Sequence, residues 1–248
     1  GLTVVKSLMQ ELPDENFIYF GDTANVPYGN KTKEQLFAYA YSIVDFFIKH
    51  KVKAIIAACG THSSVTLPKM KTEYSLPFLG VVEPGAYMAT NFTQNNKIGV
   101  LATKATVSSL AYTKAINKIK AECQVSEVAC PKFVPLVEGG NLGGLETKNA
   151  VKEYVKPLLD KGIDSLILGC THYPFLTKVI KEYVGPDIMV IDPSLATIEN
   201  LKDILKQEDL LNDSNGSPQQ GFYVSGDDDS FYNVGNLLLE NVIKEVYK

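Results

Sequence analysis

Apolar and polar residues recur with two different periods along this chain, and the pattern predicts strands and helices in turn. Short apolar runs such as 54–58 and 165–168 have the length and the residue types of buried strands. Between them, segments such as 32–50 place apolar residues three and four positions apart, as in a helix with one buried face. Strands that alternate with helices of roughly 10–18 residues predict βαβ units and parallel sheets.

The pattern divides into two successive cycles of strands and helices. The predicted strands cover residues 16–20, 53–58, 78–82, 97–102, 124–129, 165–168, 189–191 and 222–225. The predicted helices cover residues 2–12, 32–50, 63–73, 83–92, 103–120, 147–161, 176–183, 195–205 and 229–247, and the Gly-rich or Asp/Asn/Ser-rich stretches 133–145 and 207–221 are predicted to be loops. We therefore expect an α/β fold of two doubly wound parallel-sheet domains related by pseudo-symmetry, with residues 1–83 plus 193–248 in the first and 84–192 in the second. Because such a sheet normally opens on a strand, the helix at residues 2–12 also predicts that a front strand is missing from the first domain.

Composition and charge exclude several classes of function. The chain has 248 residues, of which 45% are hydrophobic and 21% charged, as in an ordinary globular protein. A net charge of −4 without a basic cluster argues against nucleic-acid binding. The apolar runs are too short to span a membrane. Four cysteines and no secretory signal predict a reducing cytoplasmic location rather than a disulfide framework.

Two cysteines carry the most informative chemistry, because each directly follows a predicted strand and precedes Thr and His. The two stretches are Cys59-Gly60-Thr61-His62 and Cys170-Thr171-His172-Tyr173-Pro174. Ligands of open α/β sheets bind at the carboxyl ends of the strands, so two such thiols predict two bases that face each other across one cleft between the halves. Backbone N–H groups after Cys170 would lower the pKa of its thiol from about 8.5.

Each of these residues also has a simpler interpretation. A free cysteine is most often a packing residue, which is our interpretation of Cys123 and Cys130, because their spacing fits no common metal site. The histidines and cysteines of the two stretches could in principle form a Cys₂His₂ zinc site, but they lie on separate halves, and we predict no metal. Glu138 is equally well explained as a ligand-binding carboxylate and as an ordinary loop acid.

Several further motifs join the second cysteine stretch in a resemblance that runs along essentially the whole chain. They are Tyr19-Phe20-Gly21-Asp22-Thr23, Pro27-Tyr28-Gly29, residues 80–85 (Gly-Val-Val-Glu-Pro-Gly) and Pro135-Leu136-Val137-Glu138. Together with the Cys-Thr-His-Tyr-Pro block, they make the chain similar to the aspartate/glutamate racemase family, and to glutamate racemases in particular.

The resemblance implies cofactor-independent interconversion of L- and D-glutamate by two bases, which supplies D-glutamate for peptidoglycan. Cys59 and Cys170 would each serve one face of the substrate, and His172 would help Cys170 to lose or regain its proton. The resemblance also implies a homodimer and a set of substrate-binding positions. These positions are Tyr28, Gly29, Gly60, Thr61, Thr171 and His172, with Glu138 and His62 as further candidates.

Two departures from the family pattern keep other functions open. The chain begins at the Gly1-Leu2-Thr3-Val4 part of the family's opening motif, so the preceding Asp and Ser are absent. Gly60 stands where the family has an Asn whose amide contacts the substrate, and His62 stands where the family has Ala. The alternatives are a racemase-like protein that binds a ligand or partner with weak or no turnover, and a related racemase that acts on aspartate.

Overall fold

The computed structural model describes residues 1–26, 28, 31–213 and 216–248. Its strands are β1 (Phe17–Gly21), β2 (Ile55–Ala57), β3 (Phe78–Gly80), β4 (Lys97–Ala102), β5 (Gln124–Ala129), β6 (Ser165–Leu168), β7 (Met189–Ile191) and β8 (Gln220–Val224). Its α-helices are α1 (Leu2–Glu11), α2 (Lys33–Lys49), α3 (Gly60–Val65), α4 (Leu67–Glu73), α5 (Val82–Phe92), α6 (Lys104–Ser109), α7 (Ala111–Ile119), α8 (Phe133–Glu138), α9 (Leu145–Leu159), α10 (Thr177–Val184), α11 (Pro193–Gln207) and α12 (Asp228–Leu238). A 3₁₀-helix covers Tyr173–Leu176. The predicted α/β class with parallel strands is confirmed.

The larger sheet is a four-stranded parallel sheet in the order β5-β4-β6-β7. In the register of its two central strands, Ile98 lies beside Ser165 and Leu101 beside Leu168. Successive side chains of a strand point to opposite faces, and here both faces are covered. Leu166 and Leu168 pack into one apolar cluster, while Ile167 packs into another. This burial explains why β6 is apolar in consecutive positions.

Two smaller sheets contain the remaining strands, and each is a parallel pair. The strand β8 pairs with β1, so that Phe17 lies beside Gln220. The strand β3 pairs with β2, so that Ala57 lies beside Gly80. The β2–β3 pair is linked to the four-stranded sheet through α5 and α11, because α11 packs against β3, α5 packs against β6 and β7, and the two helices pack against each other. The division of the chain into two domains with the bounds given above stays a prediction.

Several predicted elements differ from the structure. Residues 133–138 form the helix α8 rather than a loop, because Phe133, Leu136 and Val137 share one buried face. The predicted helix 103–120 is divided at Leu110, whose backbone is left-handed with φ 54°. The last helix ends at Leu238 instead of residue 247, because the chain turns back and Tyr247 forms a bridge with Tyr223 of β8.

The predicted helix 63–73 also differs from the structure, which has the two helices α3 and α4 with Thr66 between them. The helix α3 begins at Gly60, three residues earlier than predicted, so the Thr and His after the first cysteine are already helical. No helix in the described part of the chain is both long and apolar enough to cross a bilayer.

Candidate active site

The first thiol lies at the point where β2 gives way to α3. Cys59 is the N-cap residue of α3, with an extended backbone, and its carbonyl accepts a hydrogen bond from the Ser63 amide at 2.8 Å. The Ser63 hydroxyl donates to the Ala57 carbonyl of β2 at 2.8 Å and accepts from the Val81 amide at 3.2 Å. Ser63 therefore links the start of α3 to the ends of β2 and β3.

The second thiol lies after β6 on a turn that only glycine allows. The Gly169 amide donates to the Leu101 carbonyl at 2.7 Å. A Cβ at Gly169 would lie 2.8 Å from the Tyr112 ring and 2.9 Å from the Leu101 carbonyl oxygen, which is closer than real Cβ atoms come. The backbone therefore makes a close approach just before Cys170, and this turn places the thiol at the carboxyl end of the central strand.

The structure brings the two cysteine turns together. A Cβ at Gly60 would lie 3.6 Å from the Gly169 carbonyl oxygen and 3.1 Å from the Thr106 hydroxyl. The thiols are close enough for a thiolate at Cys59 to raise the pKa of Cys170. Both cysteines are free and partly exposed. Two nucleophilic sulfur atoms thus line one polar region of the molecule.

The electrostatics of Cys170 differ from the expectation based on its sequence. Burial raises the pKa of the Cys170 thiol to about 11, and this effect exceeds the opposing effect of the His172 backbone amide, which lowers it. The predicted amide interaction is therefore present, but the prediction of a net lowered pKa was wrong. At neutral pH this thiol holds its proton.

An imidazole and a carboxylate accompany Cys170. The sulfur lies 3.8 Å from His172 Nδ1, and His172 Nε2 lies 3.3 Å from Glu138 Oε1. The hydrogen bond from His172 lowers the pKa of Glu138, so the carboxylate is ionised and favours a proton on the imidazole nitrogen that it faces. Glu138 is therefore not an ordinary loop acid, because it ends helix α8 and faces His172, and its predicted contact with a ligand stays a prediction.

A second polar cluster forms beside the first thiol. The Tyr28 hydroxyl donates to Asp22 Oδ2 at 2.8 Å, and the Tyr28 ring meets the His62 ring with centroids 4.4 Å apart and planes at 85°. Burial and the hydrogen bond to Asp22 raise the pKa of Tyr28. Gly29, predicted to bind substrate next to Tyr28, lies outside the described residues.

The two threonines of the cysteine motifs lie at the same sheet edges as the thiols. Thr61 is in the first turn of α3 and is partly exposed. Thr171 is also partly exposed, and its carbonyl accepts a hydrogen bond from the Thr3 hydroxyl at 2.9 Å. Thr61 follows Cys59 at one residue's remove, Thr171 follows Cys170 directly, and their contact with a ligand stays a prediction.

Two residues of this region had not been selected from the sequence. Asp22 had been named only as a member of one of the resemblance motifs, yet its buried carboxylate accepts from Asn25, Tyr28 and Ser225. Thr106, buried against Gly60, had been assigned to an ordinary helix. Both follow the carboxyl end of a parallel strand, β1 and β4 respectively, and that position is the signal that would have identified them. Among the described residues, no group of three or more His, Cys, Asp or Glu side chains is placed to hold a metal ion.

Comparison with known proteins agrees with this geometry. The family model described as Asp/Glu/Hydantoin racemase matches residues 3–201. The chain belongs to this racemase family. Glutamate racemase from Oceanobacillus iheyensis is 42% identical over 241 residues, which cover 97% of this chain and 88% of the relative. This similarity places the chain among the glutamate racemases, as the sequence motifs had indicated.

Solved structures of racemases have the same fold. Glutamate racemase RacE1 from Bacillus anthracis superposes with a TM-score of 0.93 at 32% identity, covering 100% of this chain and 92% of that one. Glutamate racemase from Francisella tularensis, whose structure was solved in complex with D-glutamate, gives a TM-score of 0.89 at 36% identity and covers 99% of this chain and 91% of its own. The racemase fold therefore extends over the whole of the present chain.

Proposed function

We propose that this racemase interconverts L- and D-glutamate by proton transfer at Cα, with Cys59 and Cys170 as the two bases. The observation that carries this proposal is that the turns bearing the two thiols converge. A Cβ at Gly60 would lie 3.6 Å from the Gly169 carbonyl oxygen. Full-length relatives that are glutamate racemases support glutamate as the substrate.

The reaction needs one sulfur as a thiolate and the other as a thiol. The thiolate takes the α-proton from one face, and the electron pair of the broken C–H bond stays on the carbanion. The opposite thiol then gives its proton to the other face, so that product forms with no net change in protons or electrons. The raised pKa of Cys170, about 11, suits this residue to the donor role at neutral pH.

For the reverse direction Cys170 must start as the thiolate. His172, whose Nδ1 lies 3.8 Å from the sulfur, can take the thiol proton, and Glu138 at 3.3 Å stabilises the resulting imidazolium. Thr61 and Thr171 are the proposed contacts to the polar groups of glutamate, together with Tyr28, Gly29 and the Gly60 backbone. The reaction as proposed uses no cofactor and no metal.

The wider role follows from the substrate. D-glutamate is proposed to serve peptidoglycan synthesis, and we also propose a homodimer that acts in the cytoplasm. The four free thiols fit a reducing compartment of this kind.

The loss of circular dichroism from L-glutamate, and separately from L-aspartate, tests the proposal. We expect the signal of glutamate to decay with the wild-type protein and to persist with Cys59→Ser and with Cys170→Ser. Cys123→Ser is the matched control, because Cys123 is buried in a core cluster away from both turns, and it should retain activity.

Any one of three results would contradict the proposal. Racemisation that survives in Cys59→Ser or Cys170→Ser would rule out the two-thiol mechanism. A folded, reduced wild-type protein that leaves glutamate unchanged would favour a protein that only binds its ligand, and decay of aspartate alone would favour an aspartate racemase.

A further inference from the structure

The most informative group that the proposed mechanism does not use is the buried imidazole of His62. His62 lies in α3, three residues after Cys59, and only 8% of its surface is exposed. Its Nε2 atom is buried and has no hydrogen-bond partner among the described residues. A polar side chain that is buried this deeply beside a catalytic turn needs an explanation.

The contacts around Thr66 hold the ring of His62 in one orientation. The Thr66 hydroxyl lies 3.2 Å from the His62 carbonyl oxygen, to which it can donate. The same hydroxyl lies 2.9 Å from His62 Nδ1, where it accepts from the Nδ1–H tautomer and donates to the Nε2–H tautomer. In either tautomer this hydrogen bond fixes the imidazole on α3.

In that orientation the imidazole forms one wall of the site that Tyr28 occupies. The two rings meet at a centroid distance of 4.4 Å and an angle of 85°, which is the edge-to-face geometry that aromatic pairs prefer. The Tyr28 hydroxyl is held in turn by Asp22 at 2.8 Å. Asp22 is itself fixed by Ser225, which lies beyond β8, at 2.7 Å. Tyr28 is thus held between α3 and the end of β8.

We propose that His62 is a positioning residue that holds Tyr28 in place beside the first thiol, so that the Tyr28 region is preorganised for substrate. The inference rests on the proposed function, in which Tyr28 contacts glutamate. His62 touches Tyr28 and Thr66 rather than the reacting atoms, so its removal weakens substrate binding and leaves proton transfer intact. The carboxylate of Asp22 is the charged group that faces the imidazole from the neighbouring loop.

Kinetics in both directions test this assignment with two variants and a control. His62→Ala removes the ring and should raise KM for L- and D-glutamate by about 2- to 10-fold, the value of one aromatic pair expressed as an affinity ratio, while kcat stays within about twofold. His62→Phe keeps an aromatic edge against Tyr28 and should restore KM to within about twofold of wild type.

His50→Ala is the matched control. His50 also hydrogen-bonds through Nδ1, to the Phe46 carbonyl at 2.8 Å, and also contacts an aromatic ring, that of Phe46 at 4.2 Å. It lies at the end of α2, and KM should not change. An unchanged KM in His62→Ala, a raised KM in both His62 variants, or a loss of kcat without a change of KM would each overturn the assignment.

A second measurement does not depend on activity and separates the two proposals. In a double-mutant cycle of thermal unfolding with His62→Ala and Tyr28→Ala, the two losses in Tm should be less than additive, since both changes remove the same contact. Additive losses would overturn the positioning role even if racemisation is normal. A wild-type protein that lacks racemisation but shows coupling would overturn the catalytic proposal and leave the contact established.

Discussion

The two cysteines of this racemase lie in similar sequence motifs, yet the histidines that follow them make different contacts. After Cys170 the imidazole of His172 comes within 3.8 Å of the sulfur. After Cys59 the imidazole of His62 is hydrogen-bonded to Thr66 at 2.9 Å and packs against Tyr28.

The physical reason is the position of each histidine relative to the turn. His172 is two residues after its cysteine and immediately precedes a 3₁₀-helix, so its side chain lies beside the sulfur. His62 is three residues after its cysteine and already part of α3, whose 3.6-residue turn directs its side chain to a partner four residues later. Because of this difference of one residue, His172 can exchange a proton with its thiol, whereas His62 supports the neighbouring ring of Tyr28.

The largest expected effect is a difference in kcat between alanine variants of the two histidines. His172→Ala should lower kcat by about 10²- to 10⁴-fold, the usual contribution of a general acid–base group. His62→Ala should leave kcat nearly unchanged. Stopped assays of initial racemisation rates in both directions measure this difference, and equal losses in the two variants would contradict the comparison.

The glycines next to the two thiols provide a second contrast. Gly169→Ala should destabilise the protein by about 1–3 kcal/mol, as overpacking does, and should displace Cys170, because its Cβ would meet the Tyr112 ring at 2.8 Å and the Leu101 carbonyl at 2.9 Å. Gly60→Ala would make one tight contact, with the Thr106 hydroxyl at 3.1 Å, and an ordinary one with the Gly169 carbonyl oxygen at 3.6 Å, so it should be tolerated better. Urea unfolding of both variants is the measurement, and a larger loss for Gly60→Ala would show that the two turns are packed differently from this description.

A smaller effect concerns the carboxylate behind His172. Glu138→Gln removes the charge 3.3 Å from Nε2 and should lower kcat by about tenfold, the lower end for a hydrogen bond to a charged group that remains partly exposed. Alkylation of Cys170 by iodoacetamide should also slow, while Cys59 in the same molecule serves as the internal control. Unchanged rates at both thiols would show that Glu138 does not act through His172.

The smallest effect is the pH dependence that His62 adds to stability. Burial lowers the pKa of His62, so below its unfolded pKa of about 6.5 the unfolded chain binds a proton that the folded chain does not, and stability falls as the pH drops from 7 toward 5. His62→Ala should remove this part of the decline, whereas the exposed His50→Ala should not. Chemical unfolding at a series of pH values measures it, and identical pH profiles for wild type and His62→Ala would contradict the assignment.

Much of the fold could be predicted from the sequence because it depends on local pattern. The apolar runs that became β4 and β6 are buried on both faces, and a consecutive apolar run shows this directly. The predictions were wrong where packing or chain reversal overrode the local pattern. The stretch that became α8 looked like a loop because of its following glycines, and the last helix looked continuous although Tyr247 returns to β8.

The sequence by itself determined that two thiols would lie at the carboxyl ends of parallel strands. Each cysteine directly follows a short apolar run, and the alternation of strands and helices predicts that these runs are parallel strands. Only the tertiary structure decided which side chains surround those thiols and how their surroundings change the pKa of Cys170. It brought Glu138 from α8 to His172 and Asp22 from the end of β1 to Tyr28. It also raised the pKa of Cys170, where local backbone chemistry alone had predicted a lower one. Such contacts join segments that are distant along the chain, and burial depends on every element that packs around a group, so neither can be read from residue spacing.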